Sequence, residues 1–345
     1  MELSRYSRQM RFRPIGEGGQ RQLSEARVAV VGVGALGCVS AQHLVRSGVG
    51  YIRLIDRDFV EWSNLQRQLL YTEQDAKDML PKAEAAARRL TAINSSVTIE
   101  PVCADLHGDN AAPLLRDVDL IIDGTDNFTV RYLINDYAVK HGLPWIYGGA
   151  VGASGMSMTV LPGETPCYRC VFPEVPAPGT SDTCETAGVI SPIVDLIASV
   201  QATEALKLLS GNREALHGTL FQADLWNHSW LPLSIRNARR PFCPCCGPQG
   251  SFDYLDNEAS APVAAALCGR DSVHLTPGAS GAVNLGDLAN RLASAGEVVL
   301  NPYLLRLQMD DGNMTFVLFA DGRAIIQGTQ NLSKARSIYA ELLGN

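Results

Sequence analysis

A doubly wound α/β protein with a mixed sheet, followed by a smaller α+β unit, is what this sequence predicts, and three observations carry it. Residues 28–31 (VAVV) form a short β-branched run that meets Gly32, Gly34 and Gly37, a G-x-G-x-x-G spacing opening onto a helical pattern. Short apolar runs then recur at 51–55, 97–102, 118–122 and 143–147, separated by stretches of helical period. After residue 247 the chain turns polar and turn-rich over 248–262, then alternates as hairpins do.

Taken in order, residues 1–26 read as a helical preamble with Arg5, Arg8, Arg11 and Arg13 crowded before Pro14. The run at 28–31 is too short for a free-standing helix and reads as a buried strand. The glycines after it suit a backbone that approaches phosphates at a helix N-terminus, so the sheet is read as Rossmann-like. A second strand at 51–55 ends in Asp56, placed to accept hydrogen bonds from a ribose. Asp58 and then Asn64-Leu65-Gln66-Arg67-Gln68 follow, a polar segment for which a dehydrogenase has no use. An arginine there can neutralise polyphosphate charge.

Pro81 suits the first position of a helix that continues through residues 82–94. Strands at 97–102 and 118–122 lead to Asp123-Gly124-Thr125-Asp126-Asn127, and carboxylates at the C-terminal end of a parallel strand lie where such sheets place ligands. Either aspartate could instead cap the next helix. After a fifth strand at 143–147, residues 148–155 (GGAVGASG) read as a flexible break, and the strands beyond it, such as 156–161, need not be parallel to the others. A long helix at 191–209 and late strands at 219–225 and 230–235 complete the first unit.

Cys167-x-x-Cys170 and Cys243-x-x-Cys246 are two pairs with the spacing of zinc ligands, expected to close one tetrahedral structural site, with Cys245 a spare thiol and a redox pair the alternative. Between the pairs, the loop at 175–188 carries Cys184. The expected organisation is a domain at 1–247, a linker at 248–262 and a small accessory domain at 263–345 with a hairpin of residues 298–309 and 314–319, a strand at 324–327 and a terminal helix burying Leu332, Ala335, Ile338 and Leu342. Cys268-Gly269-Arg270-Asp271-Ser272 has some look of an anion-cradling loop, but too little sheet precedes it.

Composition sets bounds on function. A net charge of −7, from 29 basic and 36 acidic residues without a basic block, argues against nucleic acid as a partner. The N-terminus has no apolar leader, and the most apolar later run contains Pro192 and Asp195, so neither export nor a membrane span is expected. Nine cysteines, an odd number, point to a reducing, cytoplasmic setting in which thiols serve metal or chemistry.

With Arg5-Tyr6-Ser7-Arg8-Gln9, the glycine loop, residues 64–68, Pro81-Lys82, Thr125-Asp126-Asn127, Cys167-Tyr168-Arg169-Cys170 and residues 243–247, the chain resembles the ThiF/MoeB enzymes over roughly residues 4–247. These are bacterial relatives of the ubiquitin-activating enzymes. The resemblance implies ATP-dependent adenylation of the C-terminal glycine of a small ubiquitin-fold sulfur carrier of the ThiS/MoaD kind, with a Gly-Gly tail, ahead of thiocarboxylate formation in thiamine or molybdenum cofactor biosynthesis. It implies that Gly32, Gly34, Gly37, Asp56, Asp58, Asn64, Arg67, Gln68 and Lys82 surround ATP, that Asp126 holds magnesium, and that Arg8 reaches the partner subunit's site in a homodimer. It further implies a sulfur donor protein and, for Cys184, a covalent link to the activated carrier. Asp123 receives no role. Adenylation of a peptide and an NAD-dependent oxidoreductase stand as alternatives.

Overall fold

The computed structural model describes residues 3–176, 182–184, 186–256, 264–266, 271–276, 283–309 and 314–343. The chain divides into two compact units, Met1–Glu258 and Ala259–Asn345.

The first unit is an eight-stranded sheet in the order β3-β2-β1-β4-β5-β6-β7-β8. Its strands are β1 (Arg27–Val31), β2 (Tyr51–Ile55), β3 (Thr98–Val102), β4 (Leu120–Asp123), β5 (Trp145–Val151), β6 (Ser154–Val160), β7 (Thr219–Asp224) and β8 (Ser229–Ser234). The first five are parallel, with Val28 opposite both Ile52 and Leu120, and β6 to β8 add antiparallel strands. The expected mixed, Rossmann-like sheet is therefore present. Strand order reverses between β1 and β4, which puts the crevice for a ligand at the C-terminal ends of those two strands.

The principal helices are α1 (Gly16–Glu25), α2 (Ala35–Ser47), α3 (Lys82–Ile93), α4 (Gly108–Leu115), α5 (Phe128–His141) and α6 (Ser191–Leu209). Val28, Val30, Ile52, Leu54 and Ile122 are fully buried, as strands covered on both faces require. Asn127 caps α5 by accepting from Val130 N–H (3.2 Å), which leaves Asp123 and Asp126 out of the capping role. Among the described residues no helix is long and apolar enough to cross a membrane.

Residues 148–155 are not a flexible break. They form the β5–β6 hairpin, with Gly148 opposite Ser157 and Ala150 opposite Gly155. The glycines serve close packing: a Cβ on Gly148 would stand 2.5 Å from the Gln201 side chain, and one on Gly155 2.4 Å from Ile197 Cγ1. Both neighbours belong to α6, which can lie on the hairpin only because these side chains are missing. Gln201, fully buried, then donates to the backbone oxygens of Asp123 (2.7 Å) and Ile146 (3.1 Å), joining α6 to β4 and β5. At the hairpin turn, Gly152 N–H donates to Gly188 O (2.8 Å) and Ile190 N–H donates to Gly152 O (2.9 Å).

Within 248–262, the turn Asp253–Asp256 packs on the first unit: Tyr254 stacks on Tyr132, and Asp253 pairs with Arg169 (3.2 Å).

The second unit is a six-stranded sheet, β11-β12-β13-β14-β10-β9, formed by β9 (Ala264–Ala266), β10 (Ser272–Leu275), β11 (Gly296–Leu300), β12 (Leu304–Met309), β13 (Thr315–Phe319) and β14 (Ala324–Gln327). Helices α7 (Leu285–Leu292) and α8 (Leu332–Leu343) supply Leu285, Leu288, Ala335 and Ile338 to its core. The run at 298–309 is two strands rather than one. Pro302 cannot donate to a ladder, and Asn301 Oδ1 accepts from Tyr303 and Leu304 N–H (both 2.9 Å), so the chain reverses there. Ala335, Ile338 and Leu342 are buried on α8 as expected, whereas Leu332, in its first turn, is 39% exposed. Cys268 to Arg270 and the expected turn at 310–312 lie outside the described residues.

Candidate functional site

The crevice is shaped by three interlocked glycines and one that is not. A Cβ on Gly37 would fall 1.9 Å from the Gly32 carbonyl oxygen, and one on Gly124 2.4 Å from the same atom. Gly32, at φ 81°, adopts the left-handed conformation and packs against Gly124 in the turn after β4. Gly34 differs: among the described residues a Cβ there would find only Gln68 Nε2 within 4 Å, at 3.8 Å. It is the N-cap of α2 and brings no side chain to that helix's first N–H groups. The space in front of Gly34 is thus bounded by helix N–H donors and a buried side-chain amide.

The loop is clamped from both sides. Val33 N–H donates to Asp56 Oδ2 (2.7 Å), and the Tyr71 hydroxyl donates to Val33 O (2.6 Å). Asp56 Oδ1 accepts from Asp58 N–H (2.8 Å). Burial raises the Asp56 carboxyl above its ordinary value against the pull of Lys82. Lys82 begins α3 and is buried, 4% exposed, with Nζ 3.1 Å from Asp58 Oδ2.

The segment at 61–72 lies along this site. Asn64 is buried, and its Oδ1 accepts from Glu61 N–H (3.0 Å), so here it shapes the turn Trp62–Asn64. Gln68 is 4% exposed, and its Oε1 finds no hydrogen-bond partner among the described residues. The Nε2 end of this buried amide lies near Gly34, and its unmet Oε1 suits a ligand group that donates a hydrogen bond. Arg67 is half-buried and its Nη1 donates to Ser63 O (2.9 Å).

At the end of β4 the two aspartates have different settings. Asp123 is fully buried, accepts from Thr125 N–H and Oγ1, and pairs with Arg131 Nε at 3.0 Å. Burial raises its carboxyl against the opposing guanidinium. It fixes the turn, and Arg131, which no motif in the sequence singles out, ties that turn to α5. Asp126 is exposed at the mouth of the crevice.

The N-terminal motif is anchored on either side of Arg8. Arg5 donates to Ile93 O (2.9 Å), Asn94 Nδ2 donates to the buried Tyr6 hydroxyl (2.8 Å), and Gln9 donates to Ser47 O (3.0 Å). Arg8 itself is exposed.

The sulfurs of Cys167, Cys170, Cys243 and Cys246 lie within 4.8 Å of one another. Three of the separations are 3.8, 3.6 and 3.4 Å, too long for disulfides. A zinc–sulfur distance of about 2.3 Å gives a tetrahedron with edges of about 3.8 Å, so the donor set fits one such ion. Cys245, beside the cluster but not one of its four sulfurs, instead accepts from Asn135 Nδ2 (3.1 Å), so the interval of two residues, and not one, closes the set. Cys184 is half-buried in a turn; residues 177–181 and 185 of its loop lie outside the described residues.

Comparison with known proteins agrees with this arrangement. Residues 6–245 match the sequence model described as the ThiF family. The chain is 46% identical over 341 residues to the "Sulfur carrier protein ThiS adenylyltransferase" of Bacillus subtilis (strain 168), covering 99% of each chain. It is 42% identical over 264 residues to the "Sulfur carrier protein adenylyltransferase" of Thermus thermophilus, covering 75% of this chain and 96% of that protein. Among solved structures, E. coli MccB bound to MccA-N7isoASN superposes with a TM-score of 0.62 at 24% identity, over 70% of this chain and 75% of that one, a likeness of fold. With the glycine-locked crevice at the switch point and the four-cysteine cluster both in place, the chain belongs to the ThiF family of adenylyltransferases.

Proposed function

We propose that this enzyme adenylates the C-terminal glycine of a small ubiquitin-like sulfur carrier of the ThiS kind, using ATP. The observation that carries the reading is the full-length likeness to a ThiS adenylyltransferase, second unit included, joined to a crevice whose one uncrowded glycine faces helix N–H donors. Family membership sets aside the oxidoreductase alternative.

A C-terminal carboxylate, with a pKa of about 3.5, is ionised at neutral pH and needs no general base to attack an α-phosphate. The protein's work is to align the two reactants and to neutralise charge as pyrophosphate leaves. In this reading the α2 N-terminus and Gly34 face the phosphates, Asp56 the ribose, and Gln68 and Asn64 the nucleotide's polar edges. Arg67 and Lys82 supply positive charge. Asp126 would hold magnesium, which supplies further charge neutralisation when bound. Arg8, exposed between two anchored neighbours, would enter the site of a second copy of the chain, making the active species a homodimer. The four-cysteine cluster would hold zinc, Cys184 would take part in passing the activated carrier towards a sulfur donor protein, and the enzyme would work in a reducing cytoplasm, a reading that the cluster thiols, not joined as disulfides, support.

Exchange of labelled pyrophosphate into ATP tests the reading. It is expected only when a carrier with an intact Gly-Gly tail is present, and exchange that ignores truncation of that tail overturns it.

A further inference from the structure

Arg57 stands between Asp56 and Asp58 and has no place in the site drawn so far. Its Nη1 donates to Asp105 Oδ2 at 3.0 Å, beyond the end of β3, and its Nε lies 3.8 Å from Asp58 Oδ1. The other Asp58 oxygen is 3.1 Å from Lys82 Nζ. One carboxylate thus lies between two cations, hydrogen-bonded to the lysine and in looser contact with the arginine.

That arrangement poses a physical problem for any nucleotide reading. An ammonium neutralised at hydrogen-bond distance offers little field to a phosphate, and pulling it away would strand a largely buried carboxylate. A second cation beside the same carboxylate solves this. Arg57 is suited to it: burial would favour loss of its charge, but Asp105, then Asp58 and Asp126, hold the guanidinium firmly protonated. Asp105 also fixes one end of the guanidinium, so a small rotation of Asp58 is enough to close the remaining gap.

We propose that Arg57 is a positioning residue that takes over Asp58 as Lys82 turns to the polyphosphate of a bound nucleotide, so that the two cations exchange one carboxylate. No proton moves and no covalent bond changes; Lys82 stays charged throughout. The inference rests on the ATP site proposed above.

The test is a double-mutant cycle on the full-length enzyme, reading ATP binding by calorimetry with magnesium present and carrier absent, the KM for ATP in pyrophosphate exchange, and the melting temperature. Arg57→Ala is expected to weaken ATP binding and raise KM about tenfold with little change in melting, because Lys82 stays held by Asp58. In an Asp58→Asn background, where Lys82 is no longer held, the same change is expected to cost less than about twofold. Arg57→Met, which keeps the aliphatic stem, repeats the cycle should the alanine variant fold poorly. An equal loss in both backgrounds, or no loss in either, overturns the exchange. A wild-type enzyme that neither binds ATP nor exchanges pyrophosphate overturns instead the site on which it rests.

Discussion

Gly34 and Gly37 respond oppositely to the same added methyl group. Gly37→Ala drives a Cβ to within 1.9 Å of the Gly32 carbonyl oxygen, backbone that cannot yield, and is expected to lower stability by several kcal/mol or to prevent folding. Gly34→Ala meets nothing nearer than 3.8 Å among the described residues, so its melting temperature is expected to match the parent while ATP affinity falls at least about tenfold. Thermal melting together with calorimetry separates the two, and a Gly34→Ala protein that binds ATP normally would remove that space from the nucleotide site. At this scale the sequence was readable where spacing repeats a rule, as in the glycine loop and the cysteine pairs. It was silent on Arg131, Gln201 and the pairing of Arg57 with Asp105, contacts between separate segments that leave no local period; the alternating charges of Asp56-Arg57-Asp58 were the one local hint.

Among the elements, the β5–β6 hairpin shows why a glycine-rich stretch misleads. A glycine that frees the backbone and a glycine that admits a neighbouring helix are written with the same letter, and only α6 lying against Gly148 and Gly155 tells them apart. Gly155→Ala is therefore expected to destabilise the first unit by about 1–3 kcal/mol in urea titration, where a flexible break would lose nothing. The central strands β1 and β4 were legible because strands buried on both faces demand unbroken apolar, β-branched runs. The four-cysteine cluster joins the short helix Tyr168–Val171 to the segment around residue 243, elements distant in sequence. Treatment with a strong chelator at neutral pH is expected to release about one zinc per chain and lower the melting temperature by several degrees, since metal-binding energy is folding energy. Unchanged melting with no zinc released would favour a purely thiol-packed cluster.

For the whole molecule, the exposed Arg8 and the buried Lys82 should be separable between subunits. Arg8→Ala and Lys82→Ala enzymes are each expected to be inactive in pyrophosphate exchange. Mixed and re-equilibrated, they should recover up to about a quarter of parental activity, because half the dimers are mixed and each holds one intact site. No recovery would place Arg8 in its own subunit's site, and an active Arg8→Ala enzyme would place it outside catalysis. The paired hydrogen bonds that Gly152 makes with Gly188 and Ile190 reach beyond the hairpin turn itself, because they pin the end of the Cys184 loop to the sheet. Cys184 lies four residues before Gly188, so its α-carbon is leashed within about 14 Å of that peg, and any acyl group it is to capture must be delivered inside that small radius.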